Sequence, residues 1–185
     1  MASVADAIYG TDVFGQQDAI TMTSISEGVD VIARPDFSAY EIPITPRSHH
    51  FLLDVGGKPI RFTYTAPDGR LPLWVRSVLQ SLPARCGVRR GWDSYGAAPT
   101  DPTLVVQLLT ILLSVMEDSS KPPQLTPLAD GGMQAEWHGT SDLEIVVPSK
   151  ESPTYYFFDH TSNAEEEDII RDHYDRVRQL VEKHA

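Results

Sequence analysis

Apolar and polar residues alternate most cleanly over residues 130–147, DGGMQAEWHGTSDLEIVV. Met133, Ala135 and Trp137 share one parity with Leu143, Ile145 and Val147. Gln134, Glu136 and His138 share the other with Asp142 and Glu144. Period-two alternation marks a half-buried strand. Two such runs around Gly139-Thr140-Ser141, entered by the turn Asp130-Gly131-Gly132, predict a β-hairpin. A three-residue loop fixes the register: His138 opposite Asp142, Glu136 opposite Glu144, Gln134 opposite Val146, and Trp137 opposite Leu143. One face is then apolar and the other carries acids, an amide and an imidazole.

The remaining elements follow from the same reading. Residues 51–55 and 59–65, either side of Gly56-Gly57, predict a second hairpin. Residues 73–82 have helical spacing at Leu73, Trp74, Val78, Leu79 and Leu82, with Pro72 at the start and Pro83 as the stop. Asp101-Pro102 opens a helix whose body, 104–116, is apolar nearly all round and therefore buried. Short strands are predicted at 124–128 and 154–158. Near the C-terminus, Ile169, Ile170, Tyr174, Val177, Leu180 and Val181 form a stripe, and Ser162/Glu165 or Asn163/Glu166 offers a capping box. These predict an amphipathic helix over 164–183.

Residues 1–47 hold no sustained period and end in Pro-punctuated sequence. They read as an extended or partly mobile arm with strand-like pieces at 19–25 and 29–33. The expected fold is α+β. An antiparallel β-meander is packed on one face by the buried helix (102–117) and the C-terminal helix (164–183), and a β-containing extension precedes a single domain over 48–185.

Composition narrows the function more than the fold. The 185 residues carry 15 basic and 26 acidic side chains, a net charge of −11. Residues 1–50 hold seven acids and two bases (−5), residues 51–158 eleven and nine (−2), and residues 159–185 eight and four (−4). Sequence-independent DNA binding needs Lys and Arg to displace counterions, so nucleic acid enters only by mimicry. A protein partner with a basic surface fits the charge. One cysteine, Cys86, leaves no internal disulfide framework. No secretory signal or membrane-spanning run is visible, which places the chain in the cytoplasm.

Two groups of residues could carry chemistry. On the polar face of the hairpin, facing glutamates that were buried would share a proton, and an imidazole beside Asp142 would be oriented. Glu136, His138, Asp142 and Glu144 are therefore the candidate catalytic set, in a small hydrolase or nucleotide-binding enzyme. The same face, with Gln134, equally suits partner binding or plain solvation. Asp130 ahead of Asp142-x-Glu144 has the order of a restriction-type nuclease, but Val146 stands where the lysine is required. The second group, Arg89, Arg90, Trp92, Asp93 and Tyr95, combines cations with stacking rings that suit a nucleotide or single strand. Its structural alternative has Trp92 and Tyr95 plugging the base of the core and Asp93 bonding local backbone.

Further candidates are weaker. His49-His50 on a strand point to opposite faces and ligate one ion poorly. His160 and His173 read as solvated. Cys86 has arginine neighbours but reads as a buried thiol. No metal site or cofactor is expected.

Residues 91–97 (GWDSYGA), the Asp130-Gly131-Gly132 turn, Glu136-Trp137 and Asp142-Leu143-Glu144-Ile145 occur in this order. In them the chain resembles a loose group of small bacterial proteins that share a WDSYGA-like loop, a DGG turn, an EW strand and a DLEI strand. The resemblance covers about residues 72–158. It implies a shared domain and a bacterial, plasmid or phage origin, and it brings no activity with it. The expected function is a non-enzymatic, acidic binding protein of the antitoxin, immunity or anti-defence type, with a homodimer seam as another use of the face.

Overall fold

The computed structural model describes residues 21–24, 47–55, 58–66, 69–86 and 90–184. Contacts divide the chain into two units, Met1–Leu52 with Pro59–Leu71, and Leu53–Lys58 with Pro72–Ala185. β1 (Thr21–Ser24), β2 (Arg47–Val55) and β3 (Lys58–Ala66) form a three-stranded sheet of order β1-β3-β2, in which β1 runs antiparallel to β3. β1 falls within the strand-like piece expected at 19–25, whereas that at 29–33 lies outside the described residues. His49 and His50 reach different groups: His50 Nδ1 lies 3.1 Å from Thr63 Oγ1, and His49 Nε2 lies 3.4 Å from the carbonyl of Gly69.

The second unit contains the α+β framework. α1 (Leu73–Cys86) runs through Pro83 instead of ending before it. A proline removes one N–H from the helical ladder, yet the exposed ring leaves the following turn free to continue. Trp74, Val75, Val78, Leu79 and Leu82 are buried, but Leu73 stands outside the stripe and is 83% exposed. α2 (Pro102–Val115) starts as its sequence predicts. Asp101 Oδ1 accepts hydrogen bonds from Thr103 N and Thr103 Oγ1, each 2.8 Å, and Pro102 occupies the first turn. Eight of its fourteen residues are buried. On its open side, Thr110 and Ser114 return their hydroxyls to Val106 O and Thr110 O.

β4 (Gln124–Pro127), β5 (Met133–Trp137), β6 (Ser141–Val147), β7 (Thr154–Asp159) and β8 (Ala164–Ile169) form an antiparallel meander in chain order. α2 packs against β5, β6 and the C-terminal helix α3 (Tyr174–Glu182), and α1 against β4. Burial alternates along the central strands. Met133, Ala135, Trp137, Leu143, Ile145, Val147, Tyr155 and Phe157 are buried, and their neighbours of opposite parity are only partly so. Trp137 keeps its buried indole satisfied by donating from Nε1 to the carbonyl of Lys121 at 2.8 Å.

The C-terminal helix is shorter than expected. Residues 164–169 form β8 paired to β7, a single 3₁₀ turn follows at Ile170–Asp172, and only Tyr174–Glu182 is α-helical. Neither capping box forms. Asp159 instead accepts backbone hydrogen bonds from Thr161 and Ser162, and Asn163 adopts φ 55° to turn the chain into β8. Of the expected stripe, Ile170, Val177, Leu180 and Val181 are buried, whereas Ile169 and Tyr174 are exposed.

Candidate functional site

The hairpin register places the candidate residues. Met133 pairs with Val147, Glu136 with Glu144, and Trp137 with Leu143, as the alternation requires. Continued outward, the registers align Gln124, Glu136, Glu144, Tyr156 and Glu167 in one row across the sheet. A neighbouring row holds Asp142, Phe158 and Glu165. The face away from the helices thus carries five carboxylates (Glu136, Asp142, Glu144, Glu165 and Glu167), the rings of Tyr156 and Phe158, and no Lys or Arg on its strands.

At one end of this face the carboxylates are tied to histidines. His138 Nδ1 lies 2.9 Å from Asp142 Oδ1, and its Nε2 lies 3.1 Å from Glu136 Oε2. His160, just past β7, brings Nε2 to 2.9 Å from Asp142 Oδ2. A carboxylate only accepts, so His138 satisfies both partners only as a doubly protonated imidazolium. The hydrogen bonds to Asp142 and then Glu136 raise its pKa above the ordinary histidine value. Asp142 is lowered, first by the His138 hydrogen bond and further by the charge of His160. Glu144 accepts a hydrogen bond from Gln134 Nε2 at 2.9 Å, while burial and then the charge of Glu136 raise its carboxyl. Each glutamate of the facing pair has its own donor, so no proton bridges them. A depression of about 210 Å³ beside them is lined by Lys121, Pro122, Gln124, Glu136, Trp137 and His138, and it leaves Glu144 outside.

The arginine–aromatic loop is elsewhere. Arg89 lies outside the described residues, and Arg90 is exposed. Asp93 Oδ1 accepts from Tyr95 N at 2.9 Å and Ala97 N at 3.0 Å, and these N–H groups, Ala97's first, hold its carboxyl below the usual range. That part of the structural alternative is as expected; the core plug is not. Trp92 is 40% and Tyr95 94% exposed, because the Asp93 turn and Ser94 at φ 67° direct the loop outward. The loop is anchored to the DGG turn through Ala98 N to Ala129 O and Asp101 N to Gly131 O. A Cβ at Gly132 would lie 2.3 Å from the carbonyl of Val147, and Gly131 has φ 93° with Pro99 O 2.9 Å from its Cβ position. Asp130 bonds Gly132 N and Ser149 N, contacts that outweigh its burial and lower its pKa. WDSYGA and DGG are thus one piece of scaffolding at the start of β5, while His138 lies beyond its other end.

Sequence reading missed Tyr156, Phe158, Glu165 and Glu167, and it read His160 as solvated without its pairing to Asp142. Parity along 154–158 was signal enough for the two rings. The two glutamates stayed hidden because β8 reads as helix. Outside the face, Cys86 is buried, 3.8 Å from Met133 Sδ, and burial pushes its thiol up to about 12, so its arginine neighbours do not activate it. Ser141 Oγ lies 3.1 Å from His184 Nε2, but this hydroxyl is buried on the helix side and joins the chain end to β6. Among the described residues no helix is long and apolar enough to cross a membrane.

No family model, curated protein or solved structure matches the chain.

Proposed function

We propose that this chain is a non-enzymatic binding protein whose acidic sheet face docks the basic surface of another protein. One observation carries the reading: five carboxylates and two aromatic rings share a face whose strands present no Lys or Arg. Charge of one sign steers and selects an oppositely charged partner, and flat aromatic rings between the acids supply contact area at low entropic cost. The hydrolase reading is weaker on this geometry. Both His138 nitrogens are engaged by carboxylates, which leaves no free ring nitrogen to act as a base. The facing glutamates have separate donors and share no proton.

The setting follows the resemblance: an inhibitor of the antitoxin, immunity or anti-defence kind, acting in the cytoplasm of a bacterium or on behalf of a phage or plasmid. Five strands at about 4.8 Å spacing and five residues of about 3.4 Å rise give a face of about 400 Å². That is roughly half of the ~800 Å² per partner in a standard interface, so neighbouring segments share the contact. The test is capture from a bacterial lysate on wild type, on Glu144→Lys/Glu167→Lys, and on a chain lacking residues 1–47. A partner retained by wild type at low salt, released by high salt and lost from the folded charge-reversed variant supports the reading. Identical capture by wild type and the variant overturns it.

A further inference from the structure

The histidine cluster does more than neutralise the face. Asp142 stands between two elements at the same end of the sheet. Its Oδ1 meets His138 from the β5–β6 loop, and its Oδ2 meets His160 from the β7–β8 turn. The groups facing His138 are Glu136 from β5, Asp142 and Glu144 from β6, and His160 after β7. Lys121 ahead of β4 and His184 past α3 complete the set. His138 itself is the most exposed member of the bonded cluster.

A neutral imidazole has one N–H and one lone pair. His160 makes one such contact, through Nε2 to Asp142. His138 makes two, because its two nitrogens face two acceptors. Loss of its proton breaks one contact and sets a ring lone pair against a carboxylate. The contact to Asp142 is 2.9 Å and that to Glu136 is 3.1 Å, so Glu136 is the one released. The face then changes from five carboxylates with an internal imidazolium to five carboxylates without one.

We infer that His138 is a built-in counter-ion that gates the acidic face, so that its deprotonation frees Glu136 and strengthens docking of a partner's ammonium or guanidinium groups. This rests on the docking reading above, but the gate exists in the chain alone and is measured separately. In a complex, the incoming cation takes over the charge that the imidazolium supplied, and the His138 proton goes to solvent. One proton released per binding event makes affinity rise with pH, by up to about tenfold per unit below the His138 midpoint and levelling off above it. That midpoint lies above the ordinary histidine value and well above the carboxylate range. Partner carboxylates therefore do not titrate in the same window.

Two measurements decide it. In the free chain, NMR follows the His138 imidazole nitrogens and the Glu136 side-chain carbonyl carbon against pH. The expected result is a step in the Glu136 resonance at the His138 midpoint, absent in His138→Gln. In the second, octa-arginine is titrated onto wild type and onto His138→Gln at pH 6, 7 and 8 and constant low salt. Wild type is expected to bind more tightly as pH rises, and His138→Gln to show a smaller rise over the same range. No Glu136 step, or equal wild-type affinity at all three pH values, overturns the gate. A clear step with no octa-arginine binding at any pH overturns docking on this face and leaves the His138–Glu136 coupling standing.

Discussion

Glu144 faces Glu136 across the β5–β6 ladder, and burial together with that neighbour raises its carboxyl. A raised folded pKa for an acid means that the folded state favours the neutral form, so the charge at neutral pH costs stability. Glu144→Gln keeps an acceptor for Gln134 Nε2 and removes the repulsion. It is expected to raise the urea midpoint at pH 7, a gain of roughly 0.2–1 kcal/mol for a cross-strand like-charge pair. A fall in the midpoint would show that the charge-assisted Gln134 contact is the larger effect. Glu166 presents the opposite case. Arg176 donates to it from Nε and Nη2, and the Tyr155 hydroxyl donates from the core side. Led by Arg176 and against some burial, its carboxyl drops to about 2 from an ordinary 4.5. Its contribution is therefore complete above the unfolded value and disappears as pH falls from about 4.5 towards 2. Glu166→Gln is expected to lower stability at pH 7 and to flatten the acid limb of a stability–pH curve in that interval. An unchanged limb would assign the acid sensitivity to other carboxylates.

At the scale of elements, the hairpin was legible because three local signals agree: period-two alternation, a Gly-Thr-Ser loop and a DGG entry. Together they fix the Glu136–Glu144 and Trp137–Leu143 pairs from the residues alone. Residues 164–169 were not legible, because AEEEDI is good helix sequence behind a plausible capping box. The ladder to β7 overrides that preference, and the only local hint was the Asp159–Asn163 turn. Two of the five carboxylates of the candidate face were hidden by this one misreading, since Glu165 and Glu167 join it only when β8 is a strand. The difference is testable. In a strand, Glu167→Thr substitutes a β-branched residue opposite Tyr156, with an expected gain of roughly 0.2–1 kcal/mol. In a helix the same change would cost a few tenths of a kcal/mol. Thermal melts of wild type and Glu167→Thr distinguish the two.

Across the second unit, stability is distributed as unevenly as charge. α2 buries eight residues between the sheet and α3, and β5, β6 and β7 each have a strand on both sides. β8 is an edge strand with nearly every side chain exposed, and the 91–96 loop hangs on a few backbone hydrogen bonds. Amides open with a free energy that tracks local burial, so the core elements and the acidic face's outer edge separate in exchange rate. The slowest amides are expected in α2 and in β5 and β6, exchanging only by global unfolding. Those of β8 and residues 91–96 are expected to exchange faster by sub-global opening. Such a gradient suits a binding face, because an acidic edge can adjust to its partner while the hairpin holds Glu136, Asp142 and Glu144 in register. Protection in β8 equal to that in α2 would mean that the edge is as fixed as the core. The face would then dock as a rigid plate, and partner binding would leave the β8 exchange rates unchanged instead of slowing them.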